Sequence, residues 1–306
     1  MSQLKVNFKN SNNSNITIAA VIHLPENFNE TIQYPAIVVT HPGGGVKEQT
    51  AGLYAKRLAE NGFVAIAYDA SYQGESTGEP RQLENPYTRT EDISAVVDYL
   101  TTLSYVNSEK IGAMGVCAGG GYTANAAIND KRIKSLGTVS AVNIGAMMHK
   151  GWLGDQDPKN AVAWLEFGAN SRTAEANESD INMMPMAPLK KEDTPYQDLQ
   201  EAWEYYRTDR ARCATSPGVA PARSLTQLVT YDAFNFANYY LTQPLLVIAG
   251  SNAESLWMSK SLIEQAASAN KNLYIVQGAN HMKLYDVPQY VDEAVSQLSM
   301  FFNQNL

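Results

Sequence analysis

Cysteine is scarce in this chain. Its 306 residues hold two, Cys117 and Cys213, too few for a disulfide framework. Positive charge is also short: Lys and Arg number 23 against 31 Asp and Glu, a formal net charge of −8. A chain that binds nucleic acid or an anionic membrane carries the opposite excess, so neither partner is expected. No run approaches the roughly 18 apolar residues of a membrane span. Met1 to Asn15 is polar and asparagine-rich, without the basic start and apolar stretch of a secretory signal. A reducing, cytoplasmic setting is therefore expected. Histidine occurs four times, at His23, His41, His149 and His281, so any general base is drawn from a short list.

Hydrophobic residues at 44% and charged residues at 18% suit a soluble globular enzyme. The first half alternates two hydrophobic periods. Thr17 to Leu24, Pro35 to Thr40, Phe63 to Asp69, Lys110 to Val116 and Leu136 to Ala141 read as strands. The run PAIVVT is short, continuous and β-branched, the pattern of a strand buried on both faces. Between the strands, Ala51 to Glu60 suits a helix stopped by Asn61-Gly62. Ile93, Val96, Val97, Leu100 and Leu103 form one helical stripe. Strand and helix in alternation imply parallel strands joined by right-handed crossovers.

From Gly145 to Thr242 the alternation breaks into a proline-punctuated, aromatic-rich stretch. Linkers lack the apolar area to offset ordering entropy, so this segment is expected to fold as short helices and loops over one end of the sheet. The alternation then returns with Pro244 to Gly250, Ser259 to Ala269 and Asn272 to Val276. A final helix opened by Pro288 carries Val291, Val295, Leu298 and Phe302 on one face. The expected organisation is a core of residues 1–144 and 243–306, with 145–242 as a cap.

Gly115-Val116-Cys117-Ala118-Gly119 lies between a predicted strand and the predicted helix Ala118 to Asn129. That is the pattern of a nucleophile elbow, glycine-x-nucleophile-x-glycine. A nucleophile on so sharp a turn leaves no room for side chains two residues either way. The helix that follows points its N-terminal dipole at residue 117, which favours a thiolate. The plain alternative is a small buried thiol packed as a hydrophobe.

His41-Pro42-Gly43-Gly44-Gly45 follows the second buried strand. Glycines there free backbone N–H groups for a substrate oxygen, and the N–H of Ala118 supplies the other half of an oxyanion hole. Gly43 is the expected donor, with Gly44 as alternative. HPGGGVKE lacks the Lys-Ser/Thr ending of a phosphate loop. His281 follows the last strand, where a loop can bring an imidazole to the nucleophile, so it is the expected general base. Glu254 is the lone carboxylate in the loop after Pro244–Gly250 and is the expected triad acid, with Asp286 and Asp232 as fallbacks.

With these residues in place, the chain resembles the dienelactone-hydrolase-like branch of the α/β-hydrolases, and within it the YcjY-type hydrolases. The matching stretches are HPGGGVKEQTAGLYA, YDASYQGES, IGAMGVCAGGGY, VSAVNIG, PLLVIAGSNAES and VQGANHMKLYD. The resemblance implies the α/β-hydrolase fold, a mostly parallel sheet with helices on both faces and a helical cap insertion. It implies Cys117 as nucleophile, His281 as base, and Gly43 and Ala118 as oxyanion donors. Related chains tend to carry aspartate where Glu254 stands, so the longer side chain here is a departure.

The expected reaction is acyl transfer from a small-molecule ester, lactone or thioester through an acyl-thioenzyme that water releases. Gly44, Tyr72 and Trp152 are the expected substrate-binding residues. No metal and no organic cofactor are expected, and a homo-oligomer is compatible with the sequence. The competing readings are an acyltransferase with the same triad and a catalytically poor small-molecule binding protein. A redox role for Cys117 would need Cys213 as its partner.

Overall fold

The computed structural model describes residues 2–306. In chain order the elements are β1 (Gln3–Asn10), β2 (Asn13–His23), β3 (Tyr34–Thr40), α1 (Gly52–Glu60), β4 (Val64–Tyr68) and α2 (Pro86–Thr101). There follow β5 (Val106–Val116), α3 (Ala118–Asn129), β6 (Ile133–Val139), α4 (Ile144–Lys150), α5 (Val162–Ala176), β7 (Met183–Pro185), α6 (Gln197–Arg207) and β8 (Val219–Pro221). The chain closes with α7 (Leu225–Leu228), α8 (Ala237–Tyr240), β9 (Leu245–Gly250), α9 (Leu256–Gln265), β10 (Lys271–Val276), α10 (Lys283–Asp286) and α11 (Pro288–Asn305).

Eight strands form one sheet in the order β1-β2-β4-β3-β5-β6-β9-β10. β1 pairs antiparallel with β2, and β2 antiparallel with β4; every other pairing in the sheet is parallel. This is an α/β-hydrolase fold. The buried strands alternate between two cores, as strands covered on both faces must. In β3, Ala36 and Val38 face the layer of α2 and α3, while Ile37 and Val39 face the layer of α1 and α11. The expected faces hold: Ile93, Val96, Val97 and Leu100 of α2 are buried on one side, and Val291, Val295, Leu298 and Phe302 of α11 on the other. Asn85 caps α2 through the N–H groups of Tyr87 and Thr88, with Pro86 opening the helix.

One stretch left without an assigned element is a strand, and one expected helix has other bounds. The asparagine-rich start is a strand: Leu4, Val6 and Phe8 alternate with polar residues along β1, and Phe8 stacks on Tyr99 with ring centroids 4.1 Å apart. The helix expected over Ser259 to Ala269 begins earlier and ends earlier, because Ala266 turns to an extended conformation. Between β6 and β9 the chain makes α4 to α8 and the small ribbon β7–β8. Among the described residues no helix is long and apolar enough to cross a membrane.

Candidate active site

Cys117 joins the end of β5 to the start of α3 with φ 57° and ψ −126°. A non-glycine residue held there costs on the order of 1–3 kcal/mol. The turn is secured from three sides: Cys117 N–H donates to Val139 O at 3.0 Å, and Cys117 O accepts from Val142 and Gly120 N–H, both at 2.9 Å. Glycine is required on either side. A Cβ on Gly115 would lie 2.2 Å from Gly119 O, and one on Gly119 would lie 2.4 Å from Thr40 O. The half-buried thiol lies where three apolar clusters meet. Burial pushes its pKa up, opposed by hydrogen bonds from the Tyr285 hydroxyl and the Ala118 N–H. Desolvation therefore works against the thiolate that the helix N-terminus favours.

The loop after β3 lies against this turn. A Cβ on Gly43 would be 3.6 Å from the Ala118 Cβ. Among the described residues no group of the chain accepts the Gly43 N–H, and the Ala118 N–H is turned to the thiol. Gly43 thus lies against Ala118, the residue that follows Cys117. Gly44 adopts φ +70°, and its carbonyl accepts from Ser216 Oγ at 2.6 Å. Met186 covers this loop, its Cε 3.4 Å from a Cβ placed on Gly43.

His41 shapes the loop. Ala70 N–H donates to its Nε2 at 3.2 Å, which leaves Nδ1–H for Pro42 O at 2.8 Å. Burial and the Arg89 charge hold it neutral, well below the usual histidine range. The buried Arg89 guanidinium donates to His41 O at 2.6 Å and pairs with Glu84 at 2.9 Å. Glu84 also accepts from the hydroxyl of Tyr122, on α3, at 2.7 Å.

His281 is 1% exposed, and burial pushes its pKa down to about 3. Its Nδ1 is 2.6 Å from Ser255 Oγ and its Nε2 is 3.3 Å from the Tyr285 hydroxyl. Trp152 packs edge-on to the imidazole with centroids 5.0 Å apart. Tyr72, by contrast, lies against Gly78 in its own loop, and nothing brings it to the imidazole.

The expected acid, Glu254, makes no hydrogen bond to the imidazole among the described residues. Both oxygens of Glu254 face α6, accepting the N–H of Gln197 at 3.2 Å and of Asp198 at 3.0 Å. Its added methylene serves a helix N-terminus, where two orphan donors and the dipole welcome a carboxylate. Among the described residues the side chain hydrogen-bonded to Nδ1 is Ser255. The fallbacks are engaged elsewhere: Asp286 with Arg210 at 2.6 Å, and Asp232 with Asn143 at 2.7 Å.

Sequence reasoning missed two residues. Asp198, 1% exposed at the start of α6, accepts from His281 N–H at 3.0 Å, Glu254 N–H at 2.8 Å and Trp152 Nε1 at 3.4 Å. No local pattern marks it, because its partners lie in distant loops. Tyr285 was findable: it stands four residues after His281, the spacing of one helical face.

Two cavities approach this centre. One of about 690 Å³ is lined by Tyr206, Arg207, Arg212, Cys213, Ser216 and Pro217, and one of about 330 Å³ by Gln49, Thr50, Tyr205, Arg210, Tyr285 and Asp286 among others. Neither lining includes Cys117 or His281. The second includes Tyr285, whose hydroxyl is 3.3 Å from His281 Nε2, and the first includes Tyr206. The acidic group Glu48, Asp69 and Glu75 converges on the Lys47 ammonium, at 2.6, 2.7 and 2.7 Å. It is a lysine cradle.

The dienelactone hydrolase family model matches residues 18–141. The chain is 60% identical over 306 residues to the uncharacterised protein YcjY of Escherichia coli K12, covering all of both chains. The crystal structure of hypothetical protein PA2218 from Pseudomonas aeruginosa superposes with a TM-score of 0.90 at 33% identity, over 100% of this chain and 94% of that one. Over 100 residues, 33% of this chain and 31% of the other, it is 34% identical to a protein of Aspergillus aculeatus named thiohydrolase aneE. The strand order, the elbow and these likenesses agree: the chain belongs to the dienelactone hydrolase family and is an α/β-hydrolase.

Proposed function

We propose that this hydrolase cleaves a small-molecule carboxylic ester, lactone or thioester through Cys117. The observation that carries the reading is the sulfur on a strained elbow, with the Ala118 N–H directed at it, the Gly43 loop packed against Ala118, and a buried imidazole in the loop after β10. The Cys117 sulfur attacks the substrate carbonyl, its proton passing to His281. The two N–H groups hold the oxyanion, a contribution of about 10²–10³ in rate per donor. The leaving oxygen or sulfur departs with the proton from the imidazolium. His281 then takes a proton from water, the hydroxide attacks the acyl-thioenzyme, and the acid leaves as the thiol is restored.

Ser255 holds the tautomer that a triad acid would hold, with Nδ1–H toward its hydroxyl and Nε2 free to accept. Residues 145–242 act as the cap over the core of 1–144 and 243–306. Asp198, Trp152 and Met186, all from that segment, touch the catalytic loops. Val142, Met147, Trp152 and Met258 make an apolar surround at the sulfur, which suits an apolar acyl group. A thioester is the favoured class, since a relative over a third of the chain bears the name thiohydrolase.

The test is hydrolysis of a panel of aryl esters, lactones and acyl thioesters by the wild type and by Cys117→Ala. Turnover should fall by at least about 10³-fold with the fold intact. Undiminished hydrolysis by the alanine variant overturns the proposal.

A further inference from the structure

We propose that the larger cavity, of about 690 Å³, seats the leaving-group end of the substrate, and that this end carries a carboxylate or phosphate held by Arg207 and Arg212. This inference deepens the thiol-hydrolase reading above and rests on it for the position of the scissile bond. The cavity is large enough for most of a drug-sized ligand. Its lining includes two arginines and no Asp or Glu, in a chain whose formal net charge is −8. The smaller cavity is balanced by contrast, since Glu48 and Asp286 line it beside Arg210 and Arg212.

The two arginines differ in freedom. The Arg207 guanidinium is fixed: Nε donates to Pro188 O at 3.2 Å, Nη1 to Pro217 O at 3.3 Å, and Nη2 to Ala187 O at 3.2 Å and Gly218 O at 3.1 Å. These acceptors are neutral, so they hold the group without cancelling its charge. Among the described residues no carboxylate pairs with it. Arg212 is loosely held. Its side chain is 67% exposed, and its ion pair, at 3.6 Å, is with the fully exposed side chain of Asp209. A pair so exposed contributes little, and the guanidinium is free to turn to a ligand. A fixed positive charge with a mobile one beside it suits an oxyanion, which an arginine fork grips through two N–H groups.

The cavity meets the catalytic loop at one wall. Ser216, in its lining, donates from Oγ to Gly44 O at 2.6 Å. Gly218, next to Pro217 of the lining, accepts the Met186 N–H at 2.9 Å, and the Met186 side chain covers Gly43 and Gly44. Gly43 in turn packs on Ala118, the residue after Cys117. The sulfur also borders the apolar cluster of Val142, Trp152 and Met258. With an apolar acyl group in that cluster, the leaving group runs past the Gly43–Gly44 loop toward the arginines. They touch no reacting bond, and their contribution is to binding.

The probes are S-butyryl thioesters that differ only at the far end of the leaving thiol: mercaptohexanol, mercaptohexanoate and mercaptohexyl phosphate. Wild type, Arg212→Gln and Arg212→Glu are compared by the ratio of kcat/KM for each charged thioester to that for the neutral one, which cancels any general loss of activity. At low ionic strength the wild-type ratio should be about tenfold or more for at least one anion, expressed in KM rather than kcat. The anion that wins tells a carboxylate-bearing from a phosphate-bearing substrate. The ratio should fall to about one in Arg212→Gln and below one in Arg212→Glu. A wild-type ratio of about one for both anions, or a ratio unmoved in Arg212→Glu, overturns the proposal. The thiol reading fails separately, if Cys117→Ala hydrolyses the thioesters as the wild type does or the wild type hydrolyses none. Calorimetric titration of the wild type with the matching S-butyl thioethers, which cannot be hydrolysed, then reads the cavity alone. Tighter binding of an anion by about tenfold, lost in Arg212→Glu, upholds the cavity assignment, and equal affinities overturn it.

Discussion

Asp198→Ala should loosen the catalytic loops without touching a reacting atom. The carboxylate accepts the main-chain N–H of His281 at 3.0 Å and of Glu254 at 2.8 Å, one oxygen to each, and is 1% exposed. The Trp152 indole at 3.4 Å adds little at that length. Hydrogen bonds to a charged group contribute about 1.5–3 kcal/mol each, so two give about 3–6 kcal/mol. Part is offset, because the buried carboxylate bears a desolvation cost, visible in a pKa raised by burial. A net loss of about 2–4 kcal/mol remains, roughly 4–8 °C in Tm at about 2 °C per kcal/mol for a chain of this size. The freed His281 backbone should also lower kcat by about 10–100-fold, since small misplacements of a catalytic group are costly. Asp198→Asn keeps one acceptor but turns an NH₂ toward the other N–H, and should fall between. Calorimetry and steady-state kinetics on the three proteins measure this. An alanine variant with the Tm and kcat of the wild type would refute the reasoning.

Three further outcomes can be checked. Cys117 should react with iodoacetamide progressively faster from pH 7 to 9, because the thiolate fraction keeps rising below a raised pKa. A rate flat across that range would mean a standing thiolate–imidazolium pair. Glu254→Gln should cost about 0.5–1 kcal/mol through its helix-capping role and change kcat by less than about tenfold; a loss near the 10⁴-fold reported for triad acids would restore it to the triad. His281 titrates near 3 when folded against 6.5 when unfolded. Below pH 6.5 the unfolded chain therefore takes up a proton that the folded chain refuses, and stability is lost as pH falls, at about 1.4 kcal/mol per unit. Between pH 6.5 and 5.0, urea denaturation should show His281→Asn losing about 2 kcal/mol less than the wild type; equal losses would mean a solvated imidazole.

The sheet and the sharp turn at Cys117 were legible because each is a local pattern. PAIVVT announces a doubly buried strand, and the glycines around Cys117 are dictated by atoms within a few residues. What was not legible depends on tertiary contact. Glu254 lies in the expected loop, yet its side-chain direction is decided by the N-terminus of α6, 56 residues away along the chain from Asp198. Likewise the upward push on the thiol's pKa comes from desolvation where three clusters converge, and no sequence window reports that sum.

The ion pair of Arg89 and Glu84 carries a consequence for how substrate range can change. Arg89 holds the backbone that leads into Gly43, while Glu84 holds Tyr122 on the helix that begins at Ala118. The Gly43 loop and the head of α3 are thereby anchored to one buried strut, so in the proposed mechanism the spacing of the two donors is set before any acyl group arrives. New substrates can be admitted by altering the aromatic and methionine surfaces above, while the receptacle for negative charge below stays the same shape.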